Sequence, residues 1–290
     1  MDIFRKGVKN PEGPVSLEDG SWLITEMDLN VISHVSADGT QKREIAKTGL
    51  PNGLTFDNRR NIWVADARWR ALLKVNFSGE ISVVSKGSED VPFLLPNDLC
   101  FGPDQAIYMT DSGIPLDEFA SLSSPLDAYD LNYDGKVLRI DPESNNIEII
   151  DRGLKLTNGI AFGPNGIDLY VAETLTGNIY RYDLAKGISK MERQFFGNVM
   201  VKDPREFGRI AGPDGIAFDQ TGNLYVAVLV QGDISIMDRS GKIKERIDLE
   251  GDLPTNIAFD LSGNSRALIT EASKQQLLLL DTDQGGLPLY

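Results

Sequence analysis

The sequence predicts an all-β protein, and specifically a six-bladed β-propeller in which residues 1–290 form a single domain. Short runs of alternating apolar and polar residues recur along the chain, separated by Gly, Asn, Asp and Pro, while long amphipathic helical periodicity is hard to find. One motif also repeats: a turn, a short apolar run, a second turn and a second run, as in AGPDGIAFDQTGNLYVAV at residues 211–228.

Six copies of the motif can be recognised, and their spacing suits propeller blades. Four strands with tight turns occupy roughly 40 residues. The spacings between successive copies are 40, 45, 61, 56 and 41 residues. The copies open at Glu12, Asn52, Asn97, Asn158, Asp214 and Thr255.

The individual strands follow from this repeat. In the second blade we predict strands over Leu54–Asp57, Ile62–Asp66, Ala71–Phe77 and Glu80–Ser85. The outer pairs of later blades are predicted over Val137–Asp141 and Ile147–Asp151, Ile179–Asp183 and Met191–Phe196, and Ile234–Asp238 and Ile243–Leu249. The last blade has no fourth strand after Gln276–Leu280, so Ile3–Val8 is expected to supply it and close the ring.

Composition excludes some partners. Asp plus Glu number 43 against 29 Lys plus Arg, and this net charge of −14 disfavours nucleic acid and anionic membranes. The single cysteine, Cys100, the lack of a membrane-length apolar run and the lack of a signal-peptide core favour a cytoplasmic monomer or small homo-oligomer. His34 lies in a predicted third strand, away from the channel, so no Ser-His-Asp triad is expected.

The six residues that open the copies of the motif are expected to form one polar site. The first strand of each blade lines the central channel, so the residues just before it should form a ring on one face. Carboxylate and amide oxygens suit Ca²⁺, Mg²⁺ or Mn²⁺, with Zn²⁺ and Fe²⁺ also open. We therefore predict one divalent cation, Ca²⁺ by preference, held by Glu12, Asn97, Asn158 and Asp214, whose two carboxylates would otherwise repel each other. Asn52 and Thr255, taken alone, fit ordinary turns.

Two further features lie on the same predicted face. Insertions at Gly113–Gly135, which includes Phe119, and at Val201–Gly212 suggest a lid or pocket wall, with ordinary loop variation as the alternative. Acids also end the second strand of most blades, and their recurrence favours local hydrogen bonding. Asp111 and the following Ser112 are expected to be the exceptions that contact substrate.

The chain resembles the senescence marker protein/gluconolactonase/luciferin-regenerating enzyme family of six-bladed propellers. The resemblance rests on PEGP at Glu12, PND at Asn97, TNGIAFGPNGIDLYVAET from Thr157 and GPDGIAFDQTGNLYVA from Gly212. It implies one divalent cation at the channel mouth, with ligands matching Glu12, Asn158 and Asp214, and Asn97 as a direct or water-bridged fourth. It also implies hydrolysis of lactones, sugar lactones especially.

One position departs from the family pattern. Regucalcin-like members that act on sugar lactones carry an arginine two residues before the blade-three Asn, and this chain has Leu95 there. With Trp69 and Phe119, this leucine implies a less polar rim, and hence a less hydroxylated lactone or another cyclic ester. Asn52, Asp111 and Ser112 are expected to complete the substrate contacts.

The predicted mechanism is cation-assisted hydrolysis. Asp214 would be both a ligand and a general base or nucleophile, and Asn97 would orient substrate or water. Two alternatives remain: a phosphotriester hydrolase that uses the same ion, and a non-catalytic propeller scaffold that the cation stabilises.

Overall fold

A computed structural model, which describes residues 1–187 and 192–290, has the predicted six-bladed β-propeller architecture. Each blade is a four-stranded antiparallel sheet, and the innermost strands contact one another in cyclic order from the first blade to the sixth and back. Within the described residues, no helix is both long enough and apolar enough to span a bilayer.

The strands run outward from the channel in each blade. Blades one to three comprise β2 (Pro11–Ser16), β3 (Trp22–Glu26), β4 (Val31–Val35) and β5 (Lys42–Lys47); β6 (Pro51–Phe56), β7 (Ile62–Asp66), β8 (Ala71–Val75) and β9 (Ile81–Ser85); and β10 (Pro96–Phe101), β11 (Ile107–Asp111), β12 (Gly135–Ile140) and β13 (Ile147–Leu154). Blades four to six comprise β14 (Thr157–Phe162), β15 (Asp168–Glu173), β16 (Asn178–Asp183) and β17 (Gln194–Asn198); β18 (Gly212–Phe218), β19 (Leu224–Leu229), β20 (Asp233–Met237) and β21 (Ile243–Asp248); and β22 (Pro254–Phe259), β23 (Arg266–Glu271), β24 (Gln276–Asp281) and β1 (Asp2–Lys6).

Helical structure is confined to short connections in the described part of the chain. One helix, α1, covers Leu116–Ala120. Short 3₁₀ segments cover Met27–Leu29, Pro125–Asp130, Thr174–Thr176, Leu184–Lys186 and Pro204–Phe207.

The first strand closes the ring, as the sequence predicts. In β1, Asp2 lies opposite Leu279 of β24 and Lys6 lies opposite Gln276. The strand covers Asp2–Lys6 rather than Ile3–Val8, because Gly7 has a φ of 81°, which ends the extended conformation before the buried Val8. The strand predicted at Met191–Phe196 begins outside the described residues, and its residues 194–196 belong to β17.

The core lies between adjacent blades. The second strands β3, β7 and β11 are buried along their whole length, because both faces of a sheet pack against neighbouring blades: Ile62 and Val64 of β7 pack on one side, and Trp63 and Ala65 on the other. Aromatic residues make edge-to-face contacts across these interfaces, for example Tyr170 with Phe218, whose ring centroids are 4.8 Å apart. This packing holds the six inner strands at fixed positions around the channel.

The acids that end the second strands are structural. Asp66 is fully buried, and its carboxylate accepts hydrogen bonds from the backbone amides of Gly49, Leu50 and Trp69 at 2.8–3.0 Å. Glu271 likewise accepts from three backbone amides. The carboxylates thereby fix the loops that lead into the inner strands, which confirms local hydrogen bonding as their role.

The opposite end of the channel is covered by residues 285–290. The Gln220 amide donates to the Gly285 carbonyl at 2.8 Å, and the Leu287 amide donates to the Phe218 carbonyl at 3.1 Å. Tyr290 packs edge-to-face on Phe162. Between this segment and the middle of the channel lies a cavity of about 130 Å³, lined at one level by Ser16, Thr55, Cys100, Ala161, Ala217 and Ala258.

Candidate cation and lactone site

A backbone irregularity at the start of every inner strand positions the six opening residues. In each blade the pairing of the first and second strands shifts register near the start of the inner strand. The shift lies between Pro51 and Leu54 and at the equivalent residues of blades three to five, between Glu12 and Val15 in blade one, and between Pro254 and Asn256 in blade six. A bulge of this kind redirects the side chains it contains. The opening residues therefore belong to the bulged beginning of the inner strand, whereas the sequence analysis placed them just before it.

Glycines allow the inner strands to converge closely below the ring. A side chain at Gly53 would overlap a carboxylate oxygen of Asp98, and one at Gly215 would overlap the amide of Asn256. Gly159 similarly lies against the backbone carbonyl of Asp214. The absence of Cβ atoms at these three positions brings the polar groups of neighbouring blades toward the axis.

Buried carboxylates meet at this level. Glu12 and Asp214 are 7% and 6% exposed. Burial raises the pKa of Glu12 well above its ordinary value, and the nearby charges of Asp214 and Asp98 raise it further. The pKa of Asp214 is also raised well above its usual range, first by burial and then by Asp98, while the Asn158 amide opposes the shift. The structure thus brings together the two acids that the sequence places 202 residues apart.

Asp98 is a member of this cluster that the sequence analysis missed. Its side chain is 8% exposed, and burial raises its pKa to about 6, although hydrogen bonds from Leu99 and Asn256 lower it. Asp98 and Asn256 occupy the position that holds glycine in the PNG, TNG and PDG copies. That departure from the repeat was the signal by which both residues could have been found.

The two predicted amide ligands are held in defined orientations. The Asn97 amide nitrogen donates to Ser112 Oγ at 3.1 Å, and Ser112 Oγ donates to the backbone carbonyl of Thr157 at 2.9 Å. One blade further, the Asn158 amide nitrogen donates to Thr174 Oγ1 at 3.2 Å. Because both nitrogens are engaged, the amide oxygens remain to accept from water or to bind a cation.

The donor set fits a hard divalent cation. In residues 1–187 and 192–290, no three Asp, Glu, His or Cys side chains are arranged to share one ion. Amide oxygens would therefore have to complete any shell begun by Glu12 and Asp214, and Asn97 and Asn158 present such oxygens at the same level of the channel. The raised pKa values of Glu12 and Asp214 also favour a cation, because a bound cation offsets the free-energy cost of burying two negative charges.

The remaining ring residues make different contacts. Asn52 is half-buried, and its backbone carbonyl accepts from Thr25 Oγ1 at 2.6 Å. The Thr255 hydroxyl donates to the Pro11 carbonyl at 2.6 Å, which ties the sixth blade to the first. Thr255 therefore has a structural role.

Asp111 is not the exception that the sequence analysis expected. It is fully buried, and its two oxygens accept from the backbone amides of Leu94, Leu95 and Gly113 at 2.7–3.2 Å. Asp111 thus supports its loop as Asp66 does, and both of its oxygens are buried and engaged with that loop. Ser112 is also fully buried and acts on the site through Asn97.

The long insertion of blade three forms a roof, defined as residues 113–135, on the ring face. Leu95 is buried with Ala67 and Ile114, and Phe119 packs against this cluster. Trp69, in the neighbouring blade, is 37% exposed. The rim of the site thus combines a buried leucine with partly accessible aromatic groups.

The insertion at residues 201–212 supports the roof. The Tyr129 hydroxyl donates to the Arg209 carbonyl and accepts from the Ala211 amide, both at 3.1 Å. Arg205 forms an ion pair with Asp130 of the roof. Contact between the two insertions agrees with a pocket wall and disagrees with unrelated loop variation.

Comparison with known proteins gives a consistent picture. A family model described as the SMP-30/gluconolactonase/LRE-like region matches residues 10–273. A gluconolactonase of Zymomonas mobilis is 28% identical over 244 residues, which cover 78% of this chain and 67% of that enzyme. The lactonase drp35 of Staphylococcus saprophyticus is 24% identical, with 83% of this chain and 70% of that protein covered.

Solved structures share the fold. A calcium-binding regucalcin from Agrobacterium tumefaciens superposes with a TM-score of 0.78 at 17% identity, over 100% of this chain and 99% of that one. A gluconolactonase from Xanthomonas campestris gives a TM-score of 0.77 at 21% identity, over 96% and 88% of the two chains.

Proposed function

Because the chain belongs to the SMP-30/gluconolactonase/LRE-like family, we propose that it hydrolyses a lactone at the ring of buried carboxylates and amides. The observation that carries the proposal is the meeting of Glu12 and Asp214 at the channel mouth, both desolvated and both with strongly raised pKa values. Perturbed acids in a recess are typical of catalytic or cation sites.

In this proposal Glu12, Asp214, Asn158 and Asn97 hold one divalent cation, for which Ca²⁺ is our first choice. When bound, the cation polarises the ester carbonyl and stabilises the negative charge that develops on its oxygen. Asn97 and Asn158 are suited to orientation, because Ser112 and Thr174 fix their amide planes. In this proposal the roof limits the access of water to the ring, which strengthens the electrostatic interactions there.

Asp214 is our candidate for proton transfer. In this proposal one oxygen of its buried carboxylate would hold the cation, and the other would accept a proton from water. We infer that an Asp214 oxygen takes one proton from the attacking water and returns it to the ring oxygen that leaves as the acyl bond breaks. Water adds to the carbonyl carbon and the lactone opens to a hydroxy acid, so the enzyme is regenerated unchanged.

The test is hydrolysis by the chelated protein, reconstituted in turn with Ca²⁺, Mg²⁺, Mn²⁺ and Zn²⁺, on a panel of lactones and one phosphotriester. We expect lactone opening, restored by at least one ion. In Asp214→Asn we expect the rate to fall by about 10²–10⁴, the usual contribution of general acid–base catalysis, while the circular dichroism spectrum is unchanged. Full activity of this variant would refute the role of Asp214. Hydrolysis of the phosphotriester alone would overturn the lactone assignment.

A further inference from the structure

Tyr133, in the roof, lies between the residues that precede the two proposed amide ligands. Tyr133 packs against the cluster that contains Leu95 and also against the cluster that contains Leu156. Leu95 and Leu156 are equivalent in the repeat, each two residues before a ring amide, Asn97 and Asn158 respectively. Tyr133 therefore bridges blades three and four on the ring face, next to the candidate site.

The hydroxyl of this tyrosine has no partner. Among the described residues it is shielded from solvent and makes no hydrogen bond. The neighbouring Tyr129 is the opposite case, because its hydroxyl both donates to and accepts from the backbone of residues 209–211. An unpaired buried hydroxyl is costly, so its retention calls for an explanation. Burial also raises the pKa of Tyr133, which keeps the hydroxyl protonated and able to donate.

The part of the roof that lies beside Tyr133 is α1, whose Phe119 packs against the same two clusters. The base of the roof is held by Asp134, which pairs with Lys136 and Arg152, but the ion pair of α1, Arg70 with Asp117, joins side chains that are 44% and 84% exposed. An ion pair as exposed as this contributes little to stability. A modest shift of α1 that admits a ligand would therefore cost little, and it would open the hydroxyl to that ligand.

We propose that Tyr133 determines specificity: its hydroxyl pairs with a single polar substituent on an otherwise apolar lactone. The apolar residues around it accommodate the rest of the substrate, while one hydrogen bond selects the substituted ring. This inference rests on the proposed lactone hydrolysis. It adds a substrate class, namely ring lactones that carry one hydroxyl or oxo group.

The experiment compares wild type with Tyr133→Phe on δ-valerolactone and on a monohydroxylated δ-lactone of the same ring size. We expect kcat/KM for the hydroxylated ring to fall by about 3- to 10-fold in the variant, the effect of one neutral hydrogen bond, with little change for the plain ring. The ratio of the two kcat/KM values is the decisive quantity, because a general structural disturbance lowers both together.

Tyr129→Phe is the matched control, and its thermal unfolding gives a readout that does not depend on activity. Removing the Tyr129 hydroxyl leaves the Arg209 carbonyl and the Ala211 amide without their hydrogen-bond partner. The Tm of this variant should therefore fall by a few degrees, with no change in the ratio of the two kcat/KM values. Tyr133→Phe should keep the wild-type Tm or exceed it. A Tm loss equal to that of the control would show a protein partner for Tyr133 and overturn the inference. An unchanged substrate ratio in an active enzyme would also overturn it, whereas a wild type that opens no lactone would refute the proposed function itself.

Discussion

At the scale of single residues, the site is defined by charges that the fold crowds together. Glu12, Asp98 and Asp214 come from three different blades, yet each is less than a tenth exposed. The charge of Asp98 raises the pKa of both Glu12 and Asp214, and the charge of Asp214 also raises that of Glu12. Nothing in the repeat of apolar residues requires this concentration of acid. Its cost to the cation-free protein is a measurable property.

The first prediction concerns Asp98 and pH. Its pKa is about 6 in the folded protein against 3.8 in the unfolded chain, so the folded state holds the proton more tightly. Its contribution to stability is therefore greatest below pH 4 and is lost as the pH rises through 6. With 1.36 kcal/mol for each pKa unit, the loss is about 3 kcal/mol.

Urea unfolding of chelated wild type and Asp98→Asn at several pH values between 4 and 7 measures this loss. We expect the variant to gain at least about 2 kcal/mol relative to wild type across that range, because the asparagine does not ionise and the rest of the change falls outside pH 4 to 7. Acids distant from the ring titrate equally in both proteins and cancel from the difference, whereas Glu12 and Asp214 lose the charge that raises their pKa and so add to the gain of the variant. A difference that does not change with pH would contradict the raised pKa.

At the scale of elements, the inner strand and the loop before it form one unit. A carboxylate at the end of the second strand holds the loop, the loop leads into the bulge, and the bulge presents the ring residue. In blade three, Asp111 organises this unit, and Asn97 is the residue that it finally positions.

Asp111→Ala is predicted to lower the free energy of unfolding by at least about 3 kcal/mol, because three backbone amides lose their acceptor in a buried place. Asp117→Ala provides the control. Its partner Arg70 and Asp117 itself are exposed, so its loss should change stability by less than about 1 kcal/mol. Chemical denaturation of both variants measures the change in the free energy of unfolding. Equal losses in Asp111→Ala and Asp117→Ala would contradict the structural role of Asp111.

The element scale also shows where sequence reasoning succeeded and where it stopped. Turn residues followed by an apolar run identified the inner strands and placed Glu12, Asn97, Asn158 and Asp214 at equivalent positions, since both signals are local. Asp98 was missed because the bulge, which depends on pairing with the second strand, decides whether the next residue faces the channel.

Longer-range contacts were also beyond the sequence. The Tyr129 hydroxyl donates a hydrogen bond to a backbone carbonyl 80 residues away, and no sequence pattern in either insertion predicts this contact. The unpaired hydroxyl of Tyr133 could not be predicted from the sequence either, because the lack of a hydrogen-bond partner can be recognised only when all neighbouring atoms are known.

At the scale of the whole molecule, closure of the ring depends on β1. This strand pairs with β24 and supplies the outer edge of the sixth blade, whose inner three strands come from the other end of the chain. A closed ring has no free interface between blades, so the strand contributes to the stability of all six.

Deletion of residues 1–7 is therefore predicted to lower Tm by about 5–10 °C, from the loss of several strand hydrogen bonds in a chain of this size. The uncovered edge of β24 should also promote association, visible by light scattering. Deletion of residues 285–290, which removes a similar length but no strand of a blade, should have a smaller effect on Tm. An equal or larger effect would contradict the importance of the closing strand.

The segment that crosses the far end of the channel has a kinetic consequence for the proposed reaction. Leu287 to Tyr290 pack against the inner strands and obstruct this end of the channel, so we expect exchange with solvent on the ring face beneath the roof. An incoming lactone and a departing hydroxy acid would then share that face. The hydroxy acid is consequently expected to inhibit turnover by competing with the lactone.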